Sequence, residues 1–142
     1  MTLPHSPACD LLGSKLPLVL AGMGGVARSE LVAAVTGAGG FGFLGMVREP
    51  PELIEREVTR LRELGHSRFG VNIIPASTDP ALLERQVSTL VELAVPVVGT
   101  PPIRRGRAGR EMSQSDTVPA ALMVASPPST ATTSDTSASV PA

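Results

Sequence analysis

The sequence "LPLVLAGMGGVARSELVAAVTGAGGFGFLGMV", residues 16–47, contains two short apolar runs, each followed or preceded by clustered glycines, with a helix-like segment between them. Glycine loses much conformational entropy on folding and packs no side chain, so glycines at strand ends indicate a sharp turn or a close approach of the backbone. The first run predicts a short buried strand at residues 18–21. The next segment predicts a helix with Ser29 as its N-cap, ended by Gly37 and Gly39. Its apolar side carries Leu31, Val32 and Val35.

The same alternation of strand and helix continues to residue 99. Strands are predicted at residues 41–44, 69–73 and 95–100. Between the first two of these strands, a helix begins at Pro50 and Pro51 and stops at Gly65. A third helix has Asp79 as its cap. The apolar positions of these two helices are Ile54, Val58 and Leu61, and then Leu83, Val87, Leu90 and Val91. Consecutive βαβ units predict an α/β fold with a parallel sheet, which must be covered on both faces or closed into a barrel.

The composition changes near Thr100. Residues 101–142 are rich in Pro, Ser, Thr and Ala without sustained periodicity, which predicts a disordered tail. The one apolar group in it, "ALMV" at residues 121–124, is too short to form a core. We therefore predict a folded domain at residues 1–100 and a tail at residues 101–142.

The composition excludes several functional classes. A chain of 142 residues with a net charge of -1 and a mean hydropathy of +0.20 fits one soluble domain and gives no reason to expect nucleic acid or anionic membrane as partner. The arginines of residues 104–110 have no aromatic neighbours for base stacking and are interpreted as a solvated charge run. Without a long apolar run or a secretion signal, we expect a cytoplasmic location. Cys9 is the single cysteine, and no metal site is predicted.

The glycines after the first strand have two interpretations. Gly22, Gly24 and Ala27 match the dinucleotide-binding pattern G-x-G-x-x-G/A. In the dinucleotide-binding fold, however, the helix starts within the glycine motif, whereas here the predicted N-cap, Ser29, comes after the motif. The second strand also lacks an acidic residue at its end for a ribose, because Glu49 comes too late.

The second interpretation is the mouth of a TIM barrel. Loops that follow each barrel strand meet at one face, so glycine-rich turns there leave room for a flat cofactor ring. The backbone from Gly22 to Gly24 would approach this ring without hindrance from side chains. Asn72, at the end of the third strand, would present an amide to the same face.

Three segments, "LVLAGMGGVARSELVAAVTGAGGFGFLG", "RFGVNII" and "VPVVGT", resemble the N-terminal part of the nitronate monooxygenase family, formerly called 2-nitropropane dioxygenases. Members are FMN-dependent TIM barrels, and the resemblance covers residues 11–99. It implies the N-terminal half of a (β/α)8 barrel. The wider group also holds flavin-type enoyl-acyl-carrier-protein reductases, which these motifs do not separate from the monooxygenases.

The resemblance implies cofactor-binding roles for four residues. Ala21, Gly22 and Met23 match the Ala-Pro-Met segment that lies against the flavin ring, with glycine in place of the family proline, and Asn72 matches an asparagine that contacts FMN. As alternatives, Met23 packs in the core and Asn72 bonds to backbone in its own loop. The glycines at positions 39, 40 and 42 match family glycines that we interpret as packing positions. His5 and His66 are interpreted as surface histidines, so no catalytic residue is assigned.

The activity implied by the resemblance is oxidation of alkyl nitronates with dioxygen, giving a carbonyl product and nitrite, with FMN supplying the electron chemistry. A complete barrel takes roughly 200 residues or more. Because the pattern stops at the fourth strand, we expect a truncated and impaired enzyme. Its tail is hypothesised to come from out-of-frame translation or fusion, and an open edge at strand four would favour self-association. The alternatives are a fragment of a flavin-type enoyl-acyl-carrier-protein reductase and a non-catalytic product.

Overall fold

A computed structural model describes residues 6–100 and 122–124 of the chain. Helices and strands alternate along it. The helices are α1 (Pro7–Leu12), α2 (Ser29–Gly37), α3 (Pro51–Glu63) and α4 (Pro80–Glu92), with a 3-10 turn at Pro75–Ser77. The strands are β1 (Val19–Leu20), β2 (Phe41–Gly45), β3 (Gly70–Asn72), β4 (Val97–Gly99) and β5 (Leu122–Val124).

The five strands form one sheet in the order β1-β2-β3-β4-β5. The first four are parallel and each pairs with the next along the chain, whereas β5 runs antiparallel to β4. This consecutive order is that of a growing (β/α)8 barrel, because a doubly wound dinucleotide-binding sheet places its first strand in the middle. The predicted architecture, the first half of a TIM barrel, is confirmed.

The main core lies between the sheet and the helices. Side chains alternate between the two faces of a strand, so Leu44, Val71 and Val98 share one face with the helices. Ile54, Val58 and Leu61 of α3 are fully buried against that face, as predicted. Burial of such aliphatic side chains, each worth about 1.5–3 kcal/mol, is what holds the helices on the sheet.

The other face of the sheet would be the barrel interior. Phe41 and Phe43 meet there edge to face, with ring centroids 5.2 Å apart, and contact Leu12 and Val97. The ring of Phe43, in β2, lies over the next two strands, β3 and β4. A Cβ at position 70 or 99 would collide with it. Both positions are glycine, so one aromatic ring fills the space of three side chains.

The first turn of α2 differs from the prediction. Arg28 is the N-cap, without a side-chain cap bond, and Ser29 is the first helical residue. Its backbone N–H donates instead to the Glu57 carboxylate, 2.9 Å away on α3. Glu57 is buried. Burial raises the pKa of Glu57, but hydrogen bonds from Ser29 and the neighbouring Arg56 outweigh it and hold the pKa below 4.5.

The apolar side predicted for α4 is partly wrong. Leu90 is buried, but Val87 and Val91 are exposed, and Gln86 and Thr89 take the buried positions. The cap is as predicted, since Asp79 accepts hydrogen bonds from the backbone N–H groups of residues 81 and 82. Gln86 points inward because its amide donates hydrogen bonds to backbone carbonyl oxygens of the loop after β2.

No element was predicted before the first strand, yet the N-terminal segment contains α1. Ser6 accepts a hydrogen bond from the N–H of Ala8, Pro7 occupies the first helical position and Gly13 ends the helix with a φ of 67°. Cys9 and Leu12 are its buried residues. The helix therefore closes the amino-terminal end of the sheet.

Most of the predicted disordered tail lies outside the described residues, as do His5 and the arginines of residues 104–110. Leu122–Val124 is the exception: it forms β5, so the edge of β4 that was predicted to be open is paired. Within the described ranges, no helix is long and apolar enough to cross a membrane. The cytoplasmic location stays a prediction.

Candidate functional site

The candidate site lies where the four parallel strands end at their carboxyl termini. The register aligns Gly45, Asn72 and Gly99 across β2, β3 and β4, so these residues form one row at that edge. The loop from Ala21 to Arg28 follows β1 onto the same edge. In a barrel this edge carries the active site, because all βα loops converge there.

Asn72 joins the first and third strand ends. Its Nδ2 donates to the carbonyl oxygen of Gly22 at 3.1 Å, and its own backbone carbonyl accepts from the N–H of Met46 at 3.0 Å. The alternative in which Asn72 bonds to backbone of its own loop is therefore wrong, because its partner lies fifty positions away in sequence. The amide is half-buried and fixed at the mouth of the sheet.

Gly22 is glycine for a reason that the sequence interpretation did not contain. A Cβ on Gly22 would overlap the Cβ of Asn72 and lie 3.1 Å from the carbonyl oxygen of Leu44. Likewise, a Cβ on Gly45 would overlap the backbone of Met23 and lie 2.8 Å from the Gly24 nitrogen. At these two positions, the missing Cβ leaves room for the protein's own packing.

Several residues of the loop remain open to solvent. A Cβ on Gly24 would meet no atom within 4 Å, and Met23 has 44% of its surface exposed. Ala21 is also exposed. Since Met23 is not buried, the alternative of core packing does not apply to it. The loop therefore presents bare backbone and a polarizable thioether to the solvent side of the mouth, and such a surface fits the face of a planar aromatic ring.

Arg28 ties the first loop to the second. Its Nη2 donates to Glu49 Oε1 at 2.6 Å, and its Nη1 lies 3.5 Å from the sulfur of Met46. Both side chains of the ion pair are about three quarters buried. Glu49, which was weighed as a ribose-binding acid, is thus paired within the protein. This pairing, together with the strand order, removes the dinucleotide interpretation of the glycine motif.

Gln86 and Arg48 tie the second loop to the rest of the molecule. The fully buried Gln86 donates from Nε2 to the carbonyl oxygens of Met46 and Glu49, at 3.1 and 2.7 Å. Arg48, with a φ of 58°, donates from Nε to the Ser77 carbonyl oxygen at 2.7 Å. Sequence reasoning missed both residues. A glutamine at a helix position otherwise expected to be apolar was the available signal for Gln86.

The remaining candidates lie elsewhere. His66 is at the amino-terminal end of the sheet, away from the mouth, as predicted. In the described part of the chain, no three His, Cys, Asp or Glu side chains are grouped to hold a metal ion. The site therefore offers an amide, a thioether and backbone, which position and orient a ligand but transfer no proton by themselves.

Comparison with known proteins assigns this architecture to a family. The model of the nitronate monooxygenase family matches residues 5–100. A probable nitronate monooxygenase of Staphylococcus saprophyticus is 40% identical over 67 residues, 47% of this chain and 19% of that protein. A 5-hydroxy-7a-methyl-1-oxo-octahydro-1H-indene-4-carboxyl-CoA dehydrogenase of Mycobacterium tuberculosis is 34% identical over 75 residues, 53% of this chain and 21% of that protein.

A solved structure agrees in shape. FabK from Thermotoga maritima superposes with a TM-score of 0.63 and 30% sequence identity over 71% of this chain and 32% of its own. The chain thus spans about a fifth of the curated relatives it matches and a third of this structure. The matched region is the part that bears the loop of Gly22 and Met23 and the strand of Asn72. The chain belongs to the nitronate monooxygenase family.

Proposed function

We propose that the mouth formed by Ala21, Gly22, Met23 and Asn72 is the flavin-facing part of an FMN-dependent oxidoreductase of the nitronate monooxygenase type. Bound FMN would supply the electron transfer that oxidises an alkyl nitronate with dioxygen to a carbonyl compound and nitrite. The observation that carries the proposal is the Asn72 amide, fixed on Gly22 beside the open backbone of Gly24.

Each residue has a distinct part in this proposal. Asn72 donates one N–H of Nδ2 to the Gly22 carbonyl, and its Oδ1 is available to accept a hydrogen bond from a ring N–H. Gly24 and Met23 supply a surface on which the ring rests. The Arg28–Glu49 ion pair and the Gln86 amide hold the loops and thereby keep that surface in place. The described residues orient and shield a ring, while a proton-transferring group remains unassigned.

A second candidate is reduction of an enoyl thioester, the reaction of the flavin-type enoyl-acyl-carrier-protein reductases in the wider group. The similarity to FabK fits it loosely. The similar proteins from Staphylococcus saprophyticus and Mycobacterium tuberculosis are named for two different activities, so the shared region does not decide the substrate. Oxygen consumption with a nitronate and NAD(P)H oxidation with an enoyl thioester distinguish the two reactions in flavin-loaded protein.

Flavin binding is the first test. Visible absorbance after desalting and the fluorescence of titrated FMN both report the bound flavin. Gly24→Ala should raise the Kd for FMN about tenfold, or about 1.4 kcal/mol, because its methyl group enters the proposed ring surface. Asn72→Ala should weaken binding as well. Gly37→Ala is the matched control, since a Cβ there meets only His66 Cε1 at 3.6 Å at the other end of the sheet.

Three results separate the possibilities. The proposed surface is supported if the unchanged protein retains FMN and if Gly24→Ala, but not Gly37→Ala, binds FMN more weakly. Equal binding by Gly24→Ala and the unchanged protein would mean that the ring rests elsewhere. Colourless protein with no response to FMN would overturn the proposal and favour the predicted non-catalytic product.

A further inference from the structure

A second concave site lies at the opposite end of the sheet from the proposed flavin surface. Its volume is about 200 Å³, and it is bounded by the ends of α2 and α3 and the start of β2. The polar side chains around it are Ser14, Lys15, Thr36, His66, Ser67 and Arg68. None of the residues that line it is acidic. On the surface of α3, by contrast, Arg56 and Arg60 pair with glutamates.

Two basic side chains, Lys15 and Arg68, line the cavity, and no described acidic side chain is paired with either. Lys15 is the only lysine of the chain. Within the described ranges, neither Lys15 nor Arg68 forms an ion pair, and Arg68 makes one hydrogen bond, from Nε to the Leu12 carbonyl oxygen at 3.3 Å. The other N–H groups of the guanidinium are left to a ligand, and a planar guanidinium matches the oxygens of a phosphate group.

The backbone fixes both cations in place. The N–H groups of Lys15 and Leu16 donate to the Gly39 carbonyl oxygen at 2.8 and 2.9 Å. Gly39 has a φ of 97°, and Lys15 Cβ lies 3.3 Å from where its Cβ would be. Gly13, with a φ of 67°, leaves the space that the Arg68 guanidinium occupies. The two left-handed glycines therefore bring the charged side chains together at the rim.

The cavity also contains an unused hydroxyl group. Thr36 Oγ1 is buried and has no hydrogen-bond partner. A buried hydroxyl in that state costs about 1–3 kcal/mol, which an acceptor atom in the cavity would relieve. The unprotonated oxygens of an oxyanion accept hydrogen bonds, so they can satisfy this hydroxyl and the cationic side chains together.

A simpler role for the cations would be to neutralise the negative ends of α2 and α3. The last carbonyl oxygens of α2 are already satisfied, however: those of residues 34, 35 and 36 accept from the backbone N–H groups of Ala38, Gly40 and Gly39, respectively. The Lys15 ammonium bonds to none of them. The negative helix ends therefore reduce the positive potential at the cavity, but they do not take up the side-chain N–H groups of Lys15 and Arg68.

From this arrangement we propose that the cavity binds a small oxyanion, the phosphate group of inorganic phosphate or of a small phosphomonoester. Lys15 and Arg68 supply the charge, and Thr36, with the neighbouring serines, supplies neutral donors. The volume admits a phosphate group with a short substituent. This site is separate from the flavin-facing mouth and does not depend on the proposed function.

The single lysine provides the test. The 142-residue protein is treated with a substoichiometric amount of an amine-acetylating reagent, either in inorganic phosphate or in chloride of equal ionic strength. Mass spectrometry then quantifies acetylation at Lys15 and at the N-terminal amine, which serves as the internal control. Phosphate at twice its Kd should slow Lys15 acetylation about threefold by mass action and leave the N-terminal amine unchanged. Glycerol phosphate in a parallel arm distinguishes the free ion from a phosphomonoester.

A variant pair supplies the second measurement. Arg68→Gln should abolish most of this protection, whereas Arg85→Gln removes the same charge from α4, away from the cavity, and should retain it. Circular dichroism checks that both variants fold. Equal acetylation of Lys15 in phosphate and chloride, or equal slowing at Lys15 and the N-terminal amine, would overturn the proposal. Protection that survives Arg68→Gln would also overturn it.

Discussion

At the scale of single residues, Gly22 connects chain packing with the candidate site. Its carbonyl oxygen accepts the Asn72 amide, while the position of its missing Cβ is taken by the side chain of the same asparagine. The two residues therefore constrain each other from two directions. A larger residue at position 22 would push the amide away from the place where it faces the mouth.

Gly22→Ala should accordingly lower the free energy of unfolding by about 1–3 kcal/mol, the usual penalty for forcing a methyl group into a packed contact. Gly24→Ala, two positions later in open space, should change it by no more than about 0.5 kcal/mol. Denaturant unfolding measures both. If the two variants had equal stability, the contact between Asn72 and Gly22 would not be close in solution.

The sequence was sufficient to place Asn72 at a strand end and Met23 in a turn, because strand ends and glycine-rich turns are local features. It was not sufficient to explain Gly22 and Gly45. Their partners, Asn72 and the backbone of residues 23 and 24, are brought near by strand pairing across the sheet. Long-range contact of this kind leaves no local pattern.

At the scale of elements, α2 is completed by α3. A helix begins with backbone N–H groups that lack partners, and a side chain at the N-cap normally accepts one of them. Arg28 cannot do so, and Glu57 accepts the N–H of Ser29 from the neighbouring helix instead. The negative carboxylate also complements the positive end of the α2 dipole. One buried residue thus fixes the relative position of two helices.

This contact predicts a pH dependence of stability. Because hydrogen bonds hold the folded-state pKa of Glu57 below its unfolded value, the carboxylate's contribution is fully present well above the unfolded pKa and is lost as the pH falls through the folded-state pKa. Glu57→Gln should cost about 1 kcal/mol near pH 7 and progressively less in acid. Unfolding free energies across this pH range, with the exposed Glu55→Gln as control, measure the difference. A constant difference at every pH would contradict the assignment.

Helix α4 shows where helical periodicity fails. The apolar spacing correctly predicted the helix and the burial of Leu90, but it placed Val87 and Val91 inward. The buried Gln86 turns the helix so that its amide reaches the carbonyl oxygens of the loop after β2. Hydrogen bonding to a distant loop, invisible in the hydrophobic pattern, decides which face is buried.

At the scale of the whole molecule, the two edges of the sheet differ. β1 consists of two residues only, and such a short edge offers little backbone for pairing. β4 would offer a longer edge, but β5 pairs with Val97–Gly99 along its full length. The segment Leu122–Val124 therefore covers the edge at which self-association was expected.

Replacement of Leu122–Val124 by Gly-Pro-Gly should release that edge, because proline and glycine disfavour a paired strand. We expect larger species to appear with rising protein concentration in sedimentation velocity experiments. The same replacement at residues 134–136 controls for composition. Unchanged sedimentation of the first variant would show that β5 does not protect the edge.

The consecutive strand order was predictable from the sequence because strands and helices alternate regularly and neighbouring βα units pack side by side. The pairing of β5 was not. Three apolar residues in a segment rich in Pro, Ser and Thr give no local signal, and antiparallel pairing with β4 depends on an edge that only the assembled sheet provides.

The ring of Phe43 has a consequence for how this family diverges. Since it covers Gly70 and Gly99 at once, the three positions are expected to change together during evolution. A relative with a small residue at the first position is free to acquire alanine or valine at the other two, whereas one that keeps the aromatic ring is not. Correlated substitution across three adjacent strands would then record the shape of the barrel interior.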